Sequence, residues 1–271
     1  MPAISIEELR QYAREYVEQS MAEKALRPWW HTPLMVSAPI DGRFAQLPRI
    51  AAASHLQPRD LLATAKSLVV FFIPFQRWVI RENRGGERPV RSWGEGYVLT
   101  NQLISDLSQA LAEKFKAAGF RAALTPPTAN FDPEQLMADW SHKHLGYLAG
   151  LGHFGTHCLL ITPAGCCGRL GSLVTEADLG DHPLITTDQA CLLKAGFACG
   201  KCLDACPVEA LAESSFQRRV CYNRLRENRA TLPELADFPQ NTSVCGKCAM
   251  IMPCSFINPV EKALRGNTPR E

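Results

Sequence analysis

The chain has 271 residues, of which 46% are hydrophobic and 21% are charged, and its 29 basic and 27 acidic side chains give a formal net charge of +2. This composition excludes a disordered or collagen-like chain and allows one large domain or two unequal ones. The longest apolar run, Leu68 to Phe75, has eight residues, whereas a membrane helix needs about 20. Near-neutral charge also gives no sign of a nucleic-acid-binding face.

The first predicted helix spans Ser5 to Lys24. It opens on S-I-E-E, a capping box in which Ser5 and Glu8 satisfy each other's backbone amides, and its apolar residues recur at helical spacing. The first thirty residues contain neither an apolar signal core nor a cleavage site, so we expect a cytoplasmic protein with no membrane contact.

The next elements are one strand and one long helix. Residues 31–60 are rich in Pro and Gly and predict irregular structure, after which Ser67 to Ile73 predicts a fully buried strand. An Arg-rich and Gly-rich loop is expected from Gln76 to Gly96. From Tyr97 onward leucines recur every four residues until Gly119, which predicts a helix with a glycine stop.

Shorter elements complete the larger part of the chain. We expect strands at Phe120 to Thr125, Cys158 to Thr162 and Gly171 to Thr175, and a helix at Pro133 to Ala149. Strands that alternate with helices predict a layered α/β or α+β domain over residues 1–185. Apolar periodicity weakens beyond Asp188, which predicts a small second domain over residues 186–271.

Cysteine is unusually abundant near the C-terminus. Eight of the eleven cysteines fall within a 64-residue stretch, and dense thiols in a reducing compartment indicate metal more often than disulfides. One segment, ACGKCLDACPVEAL, carries C-x2-C-x3-C-P from Cys199 to Pro207, close to the bacterial run that serves two [4Fe–4S] clusters. Gly196 stands where that run begins with a cysteine, and Cys191 is the nearest substitute.

Eight thiols suffice for two [4Fe–4S] clusters with four ligands each, in a crossed arrangement that brings the clusters close together. The favoured sets are Cys191, Cys199, Cys202 and Cys254 for one cluster and Cys206, Cys221, Cys245 and Cys248 for the other. The alternative is a zinc ribbon made by the two C-x2-C pairs, which would leave the other four thiols without a role. The roughly 185 residues before the clusters indicate a reductase with its own acceptor site.

The cluster region, together with GYLAGLGHFGTHCLLITPAGCCGRLGSLVTEADL from Gly146 to Leu179, resembles the epoxyqueuosine reductase family and, more distantly, the reductive dehalogenases. The resemblance implies a nitroreductase-like first domain that holds cobalamin and a ferredoxin-like second domain. It places the cofactor against the two glycine loops, at Gly150, Gly152, His153, Phe154, Gly155, Thr156, Gly165, Cys166 and Cys167.

The family's presumed proton donor is an Asp about 14 residues before the G-L-G turn, and that position here is Leu136. Asp139 and His142 are therefore the predicted catalytic residues, with Asp132 and His144 as further substitutes. The family also implies a ferredoxin or flavodoxin as the low-potential electron donor. The substrate would be a small molecule, or epoxyqueuosine in tRNA.

Three other motifs have simpler interpretations. Residues 150–155 match G-x-G-x-x-G, but they follow a predicted helix and lead into a strand, which is the wrong context for nicotinamide binding and favours a tight turn beside a flat cofactor. The vicinal pair in G165-C-C-G168 supplies either substrate-side thiols or small loop residues. Cys158 is expected to be a core thiol within a strand, and His153 and His157 default to structural roles.

The sequence thus predicts an oxygen-sensitive reductase that passes electrons through two clusters to a corrinoid. Its rivals are a non-catalytic electron-transfer or corrinoid-reactivating protein and a flavin-dependent reductase on the same fold. Cofactor analysis of anaerobically prepared protein separates the three.

Overall fold

A computed structural model describes residues 4–23, 27–127, 131–250 and 252–266. Its helices are α1 (Ile6–Glu23), α2 (Leu47–Ile50), α3 (Pro58–Leu61), α4 (Arg77–Glu82), α5 (Arg91–Ala117), α6 (His142–Leu148), α7 (Lys201–Asp204), α8 (Arg218–Thr231) and α9 (Pro259–Gly266). Its strands are β1 (Leu34–Pro39), β2 (Ser67–Pro74), β3 (Ala122–Leu124), β4 (Phe131–Asp132), β5 (Met137–Ala138), β6 (His153–Phe154), β7 (Leu160–Ile161) and β8 (Gly168–Thr175). No helix within these described ranges is long and apolar enough to cross a membrane.

The chain forms two compact units from interleaved segments. Unit 1 consists of Met1–Pro74, Leu99–Leu151 and Gly168–Pro183, and unit 2 consists of Phe75–Val98, Gly152–Cys167 and Leu184–Glu271. Unit 2 therefore combines the cysteine-rich C-terminal region with two earlier segments, one of which contains the second half of the glycine turn. The predicted division by function after residue 185 stays a prediction.

Unit 1 is organised around an antiparallel sheet with strand order β1-β2-β8-β3. The central strand β2 pairs with both neighbours, so that Val70 lies opposite Val36 and Ser172. All eight residues of β2 are buried, which confirms the predicted buried strand and explains its unbroken apolar run, since both faces of the strand are covered. Together with the helices this sheet gives a mixed α/β fold, as predicted.

Two helices of unit 1 follow their sequence signals closely. In α1 the Ser5 amide donates to the Glu8 carboxylate over 2.8 Å, and the Glu8 amide donates back to the Ser5 hydroxyl over 3.3 Å. This is the predicted capping box; the predicted end of the helix at Lys24 lies outside the described residues. In α5 the side chains of Leu103, Leu107 and Phe115 are fully buried along one face.

The start of α5 was predicted too late. The helix begins at Arg91, inside the segment expected to be a loop, although Gly94 and Gly96 disfavour helix. Gly94 is required for packing, because a Cβ there would lie 2.7 Å from the ring of Phe238. Another part of the expected loop forms α4, and residues 31–60 contain β1, α2 and α3 instead of only irregular structure.

The predicted helix from Pro133 to Ala149 is wrong over its first half. Residues 131–138 form the hairpin β4–β5, and only His142–Leu148 is helical. Leu136 has a φ of 56°, a left-handed conformation that interrupts helix and is unfavourable for a bulky side chain. The apolar Leu136 and Met137 look helical in sequence, but Pro133 and Leu136 lie in the turn of the hairpin and Met137 begins β5.

The strand predicted from Cys158 to Thr162 is shorter than expected. Only Leu160–Ile161 is extended, paired with His153–Phe154 in a two-stranded hairpin of unit 2. Cys158 is wrongly predicted as a buried strand residue, because it occupies a turn with a φ of 61° and is half-buried. Its amide donates to the Gly155 carbonyl, which closes that turn.

Candidate metal centre

Four cysteines of unit 2 line one cavity. They are the set predicted for one cluster, here called the first thiol group: Cys191, Cys199, Cys202 and Cys254. Cys202 lies in the short helix α7 and Cys254 in a turn, while Cys191 and Cys199 lie outside helices, strands and turns. Gly196, which stands in place of the usual first cysteine, has a φ of 84°. That conformation favours glycine over a side-chain-bearing ligand.

The sulfurs of the first thiol group influence one another electrostatically. The pKa of Cys202 is raised to about 11, first by burial and then by the charges of Cys254, Cys191 and Cys199. The pKa of Cys191 is lowered, because hydrogen bonds from the Lys194 amide and from Thr156 outweigh the effect of burial. The Thr156 hydroxyl lies 3.5 Å from the Cys191 sulfur. A bound cation would offset this mutual repulsion and favour the thiolate form of all four cysteines.

The other four cysteines form a second thiol group: Cys206, Cys221, Cys245 and Cys248. Burial, followed by the charges of Cys245 and Cys206, raises the pKa of Cys221 to about 11. The pKa of Cys248 is also raised, by burial and then by the charges of Cys245, Cys221 and Cys206. The Ala210 amide donates to the Cys206 sulfur over 3.2 Å. The larger couplings lie within the set predicted for the other cluster, and smaller ones reach outside it, from Cys158 to Cys221 and from Cys202 to Cys248.

A buried lysine supports the second thiol group. Lys247 lies between Cys245 and Cys248 in sequence, and its ammonium donates to the carbonyls of Asn83 over 2.7 Å and Gly85 over 2.8 Å. The Asn83 side chain in turn donates to the Cys245 carbonyl over 2.9 Å. Sequence reasoning missed both Asn83 and Lys247. The C-G-K-C spacing gave a signal for the lysine, but nothing in the sequence signals an asparagine 162 residues before Cys245.

The glycine turn is closed by neighbouring protein atoms. A Cβ on Gly152 would lie 2.3 Å from the Ile161 carbonyl oxygen, and one on Gly155 would lie 2.5 Å from the His157 ring. A Cβ on Gly165 would meet the backbone of Ser255 and Phe256 at 2.4 Å. These glycines allow close packing within unit 2. Gly150, which has a φ of 72°, belongs to unit 1 and ends the turn after α6.

The remaining predicted cofactor residues also have protein contacts. His153 donates from Nε2 to the Thr187 carbonyl over 2.8 Å, and Thr156 contacts Cys191. Phe154 is half-buried in β6. The vicinal thiols are buried, and Cys167 donates to the Ala249 carbonyl over 3.2 Å. In unit 2, these contacts join the glycine turn to the segments that carry the thiols. The space beside the turn is filled by protein atoms in these contacts, which does not fit a corrinoid.

In unit 1, Asp139 lies on an open cavity of about 440 Å³. Its walls combine apolar and acidic side chains: Leu56, Thr125, Pro126, Phe131, Asp132, Asp139 and Trp140. Asp139 is exposed and accepts a hydrogen bond from the Ser54 hydroxyl over 2.7 Å. The buried Thr125 hydroxyl has no hydrogen-bond partner within the described part of the chain. Volume, apolar walls and a few polar groups are those of a small-molecule site.

His142, the other predicted catalytic residue, is held inside unit 1. Its Nε2 donates to the Pro126 carbonyl over 3.2 Å, and its Nδ1 therefore accepts from the Ser172 hydroxyl over 2.7 Å. The Ser172 oxygen also accepts from the Trp140 indole over 3.0 Å. Burial lowers the pKa of His142 to about 4. A neutral imidazole whose only N–H is bonded to a carbonyl is poorly suited to donate a proton near neutral pH.

Solved structures of two groups of reductases share this fold. An epoxyqueuosine reductase with an epoxyqueuosine-modified tRNA stem loop aligns with a TM-score of 0.52 at 16% identity, over 91% of this chain and 66% of that chain. The Bacillus subtilis epoxyqueuosine reductase, with an aspartate-bearing catalytic loop swung out of its active site, aligns over the same shares with a TM-score of 0.51 at 17% identity. The chain has the fold of these reductases. The predicted resemblance is confirmed at this level.

A reductive dehalogenase, whose structure suggests a mechanism for B12-dependent dehalogenation, aligns with a TM-score of 0.59 at 15% identity, over 87% of this chain and 32% of that chain. The present chain therefore spans about two thirds of the length of the epoxyqueuosine reductases and about one third of the dehalogenase. A scan against protein-family models and a search of curated proteins each return no match.

Proposed function

We propose that this chain is an iron–sulfur reductase of the epoxyqueuosine reductase type. In this proposal the first and second thiol groups each hold one [4Fe–4S] cluster, and electrons arrive from a low-potential ferredoxin or flavodoxin. Residues 1–185 would form the nitroreductase-like catalytic domain and residues 186–271 the ferredoxin-like domain. The fold shared with the two reductase groups supports this division of labour.

The observation that carries the proposal is the grouping of the thiols. Cys199 and Cys202 share their cavity with Cys191 and Cys254, while the charges of Cys245 and Cys206 act on the Cys221 pKa. A zinc ribbon would instead join the two C-x2-C pairs. Two sets of four soft thiolates fit the ligand demand of two cubane clusters, which when bound exchange single electrons.

Only the structurally similar reductases support a corrinoid as cofactor of this chain. One of them is a dehalogenase associated with B12-dependent chemistry, but the glycine turn of this chain packs against protein in the contacts described above. We therefore assign no reaction step to a corrinoid. We propose that the substrate is reduced at the cavity of unit 1 that Asp139 lines.

Asp139 is the proposed proton donor at that cavity. It is exposed at the cavity wall and held by the Ser54 hydroxyl, and reduction of a carbon centre requires a proton for the electrons delivered. The neighbour with an aspartate-bearing catalytic loop supports an acid of this type. The substrate is an electrophilic small molecule or a modified nucleoside in tRNA, such as the stem loop bound by another neighbour.

The deciding experiment is metal and cofactor analysis of the full chain purified without oxygen. We expect about eight iron and eight sulfide per chain, with the electron paramagnetic resonance signals of two reduced [4Fe–4S] clusters. Stoichiometric zinc without iron would overturn the proposal. Bound corrinoid or flavin identifies the acceptor, and clusters without any further cofactor or reductase activity would establish an electron carrier in place of an enzyme.

A further inference from the structure

We propose that His157 donates a hydrogen bond from Nε2 to the Cys254 sulfur and thereby raises the reduction potential of the cluster on the first thiol group. His157 is thus a positioning and tuning residue, which sequence reasoning left in a structural role. The inference rests on the proposed function, because it requires a cluster ligated by Cys254.

The tautomer of His157 follows from its two contacts. The backbone amide of Leu159 can only donate, and it lies 3.1 Å from Nδ1, so Nδ1 carries no proton. The neutral ring therefore carries its proton on Nε2. That nitrogen lies 3.3 Å from the Cys254 sulfur, within reach of an N–H···S hydrogen bond. The ring can thus act toward Cys254 only as a donor.

The ring is held in this orientation by its surroundings. His157 is 4% exposed, and its Cε1 and Nδ1 atoms occupy the space that a side chain on Gly155 would fill, at 2.5 and 2.9 Å from the ideal Cβ. The last glycine of the G-x-G-x-x-G match is therefore explained by the histidine packed on it. A donor fixed in advance loses little entropy when the ligand sulfur gains charge.

The direction of the effect follows from charge. Reduction adds one electron to a cluster, and part of that charge spreads onto the ligand sulfurs. A hydrogen bond to a sulfur therefore stabilises the reduced form more than the oxidised form, which raises the potential. Loss of the donor must then lower the potential of this cluster and leave the other cluster unchanged.

A competing role for His157 is ligation. The ligand atoms of His157, Cys166 and Cys254 all lie within 4.8 Å of one another, which is also compatible with an ion shared by these three residues. In that case Cys166 would be as essential as Cys254. As a donor site, by contrast, the first thiol group needs Cys254 and not Cys166.

The test measures the two midpoint potentials of the full, cluster-loaded chain by anaerobic titration followed by electron paramagnetic resonance. In His157→Leu we expect the equilibrium constant for reduction of the cluster on the first thiol group to fall about tenfold. This corresponds to a decrease of about 59 mV in its midpoint potential for one electron. His157→Gln keeps an N–H donor and should recover part of the shift. His153→Leu is the matched control, since its Nε2 bonds a carbonyl and not a sulfur, and should leave both potentials unchanged.

Iron content distinguishes the possible failures. A wild-type chain without clusters defeats the proposed function itself. Unchanged potentials in an iron-replete His157→Leu chain overturn only the tuning role. Loss of about half the iron in both His157 variants would make the ring a ligand or a folding requirement and overturn it as well. A Cys166→Ala chain that keeps its full iron content supports the donor role. The donor role is overturned if Cys166→Ala loses a cluster while Cys254→Ala retains both clusters.

Discussion

The two units differ in what holds them together. Unit 1 contains the long elements β2, β8 and most of α5, with Phe71, Phe72 and Phe115 at most 2% exposed. In unit 2 most cysteines lie in short helices or outside helices and strands, except for Cys221 in α8, and most of the thiols are half-buried. Apolar burial can stabilise unit 1 without help. If the two thiol groups hold clusters as proposed, the cysteine-rich segments should depend on that metal for their structure, as small metal-binding domains do.

Removal of the clusters should have the largest effect. We expect a chelated, apo chain to lose amide protection between Cys199 and Cys254 while β2 and β8 stay protected, because metal binding supplies folding free energy to the thiol-bearing segments only. Hydrogen exchange of the apo and loaded chains, measured by mass spectrometry, checks this. Equal protection of the cysteine segments in both forms would contradict the comparison.

Replacement of one ligand should remove one cluster. Cys248→Ser is expected to lose about four of eight iron atoms, because the second thiol group is left with three thiolates. Cys158→Ser is the matched control, since Cys158 is a half-buried thiol that acts on the Cys221 pKa without belonging to either predicted ligand set, and it should keep full iron. Iron analysis and electron paramagnetic resonance read out both variants. Equal iron loss in the two variants would argue against the assigned ligands.

A core substitution in unit 1 should act on stability alone. Phe71→Ala in β2 is expected to lower the free energy of unfolding of unit 1 by about 3–5 kcal/mol, because the buried ring leaves a cavity. Phe131→Ala is the control, because that ring is 40% exposed, and it should change stability by less than about 0.5 kcal/mol. Denaturant-dependent hydrogen exchange of β8 gives both values. A loss of iron in Phe71→Ala would show that the units are not stabilised separately.

Prediction from sequence succeeded where one local pattern decides the outcome. The apolar run of β2, the four-residue steps of α5 and the Ser5–Glu8 capping box each fix an element without tertiary information. Cysteine spacing also supplied two ligand sets, and the four thiols of one set line a single cavity; both ligand sets stay a prediction.

The failures have tertiary causes. The hairpin at residues 131–138 depends on Leu136 adopting a left-handed conformation, which no periodicity signals. Gly94 is tolerated in α5 because Phe238 fills the space of its missing side chain. The bond from Lys247 to Asn83 joins residues 164 positions apart. The role of His157 depends on which of its nitrogens faces a sulfur, and that is a matter of geometry.

The smallest expected effect is a pH dependence confined to unit 1. His142 has its pKa lowered from 6.5 to about 4 by burial, so between these values the unfolded chain binds a proton that the folded chain excludes. The contribution of His142 to the free energy of unfolding is therefore fully present above pH 6.5. It decreases as the pH drops toward 4, by at most about 3 kcal/mol. His142→Gln should flatten this slope when unfolding of the β8 region is followed by hydrogen exchange from pH 7 to 5.

Part of the slope should remain in that variant. His55, whose pKa is also lowered by burial, accepts from the Ser141 amide over 2.9 Å and therefore opposes protonation in the folded chain in the same direction. The double variant of His55 and His142 should remove most of the dependence. An unchanged slope in His142→Gln would mean that the imidazole takes up its proton without breaking the bond from Ser172, and it would restore His142 as a candidate proton donor beside Asp139.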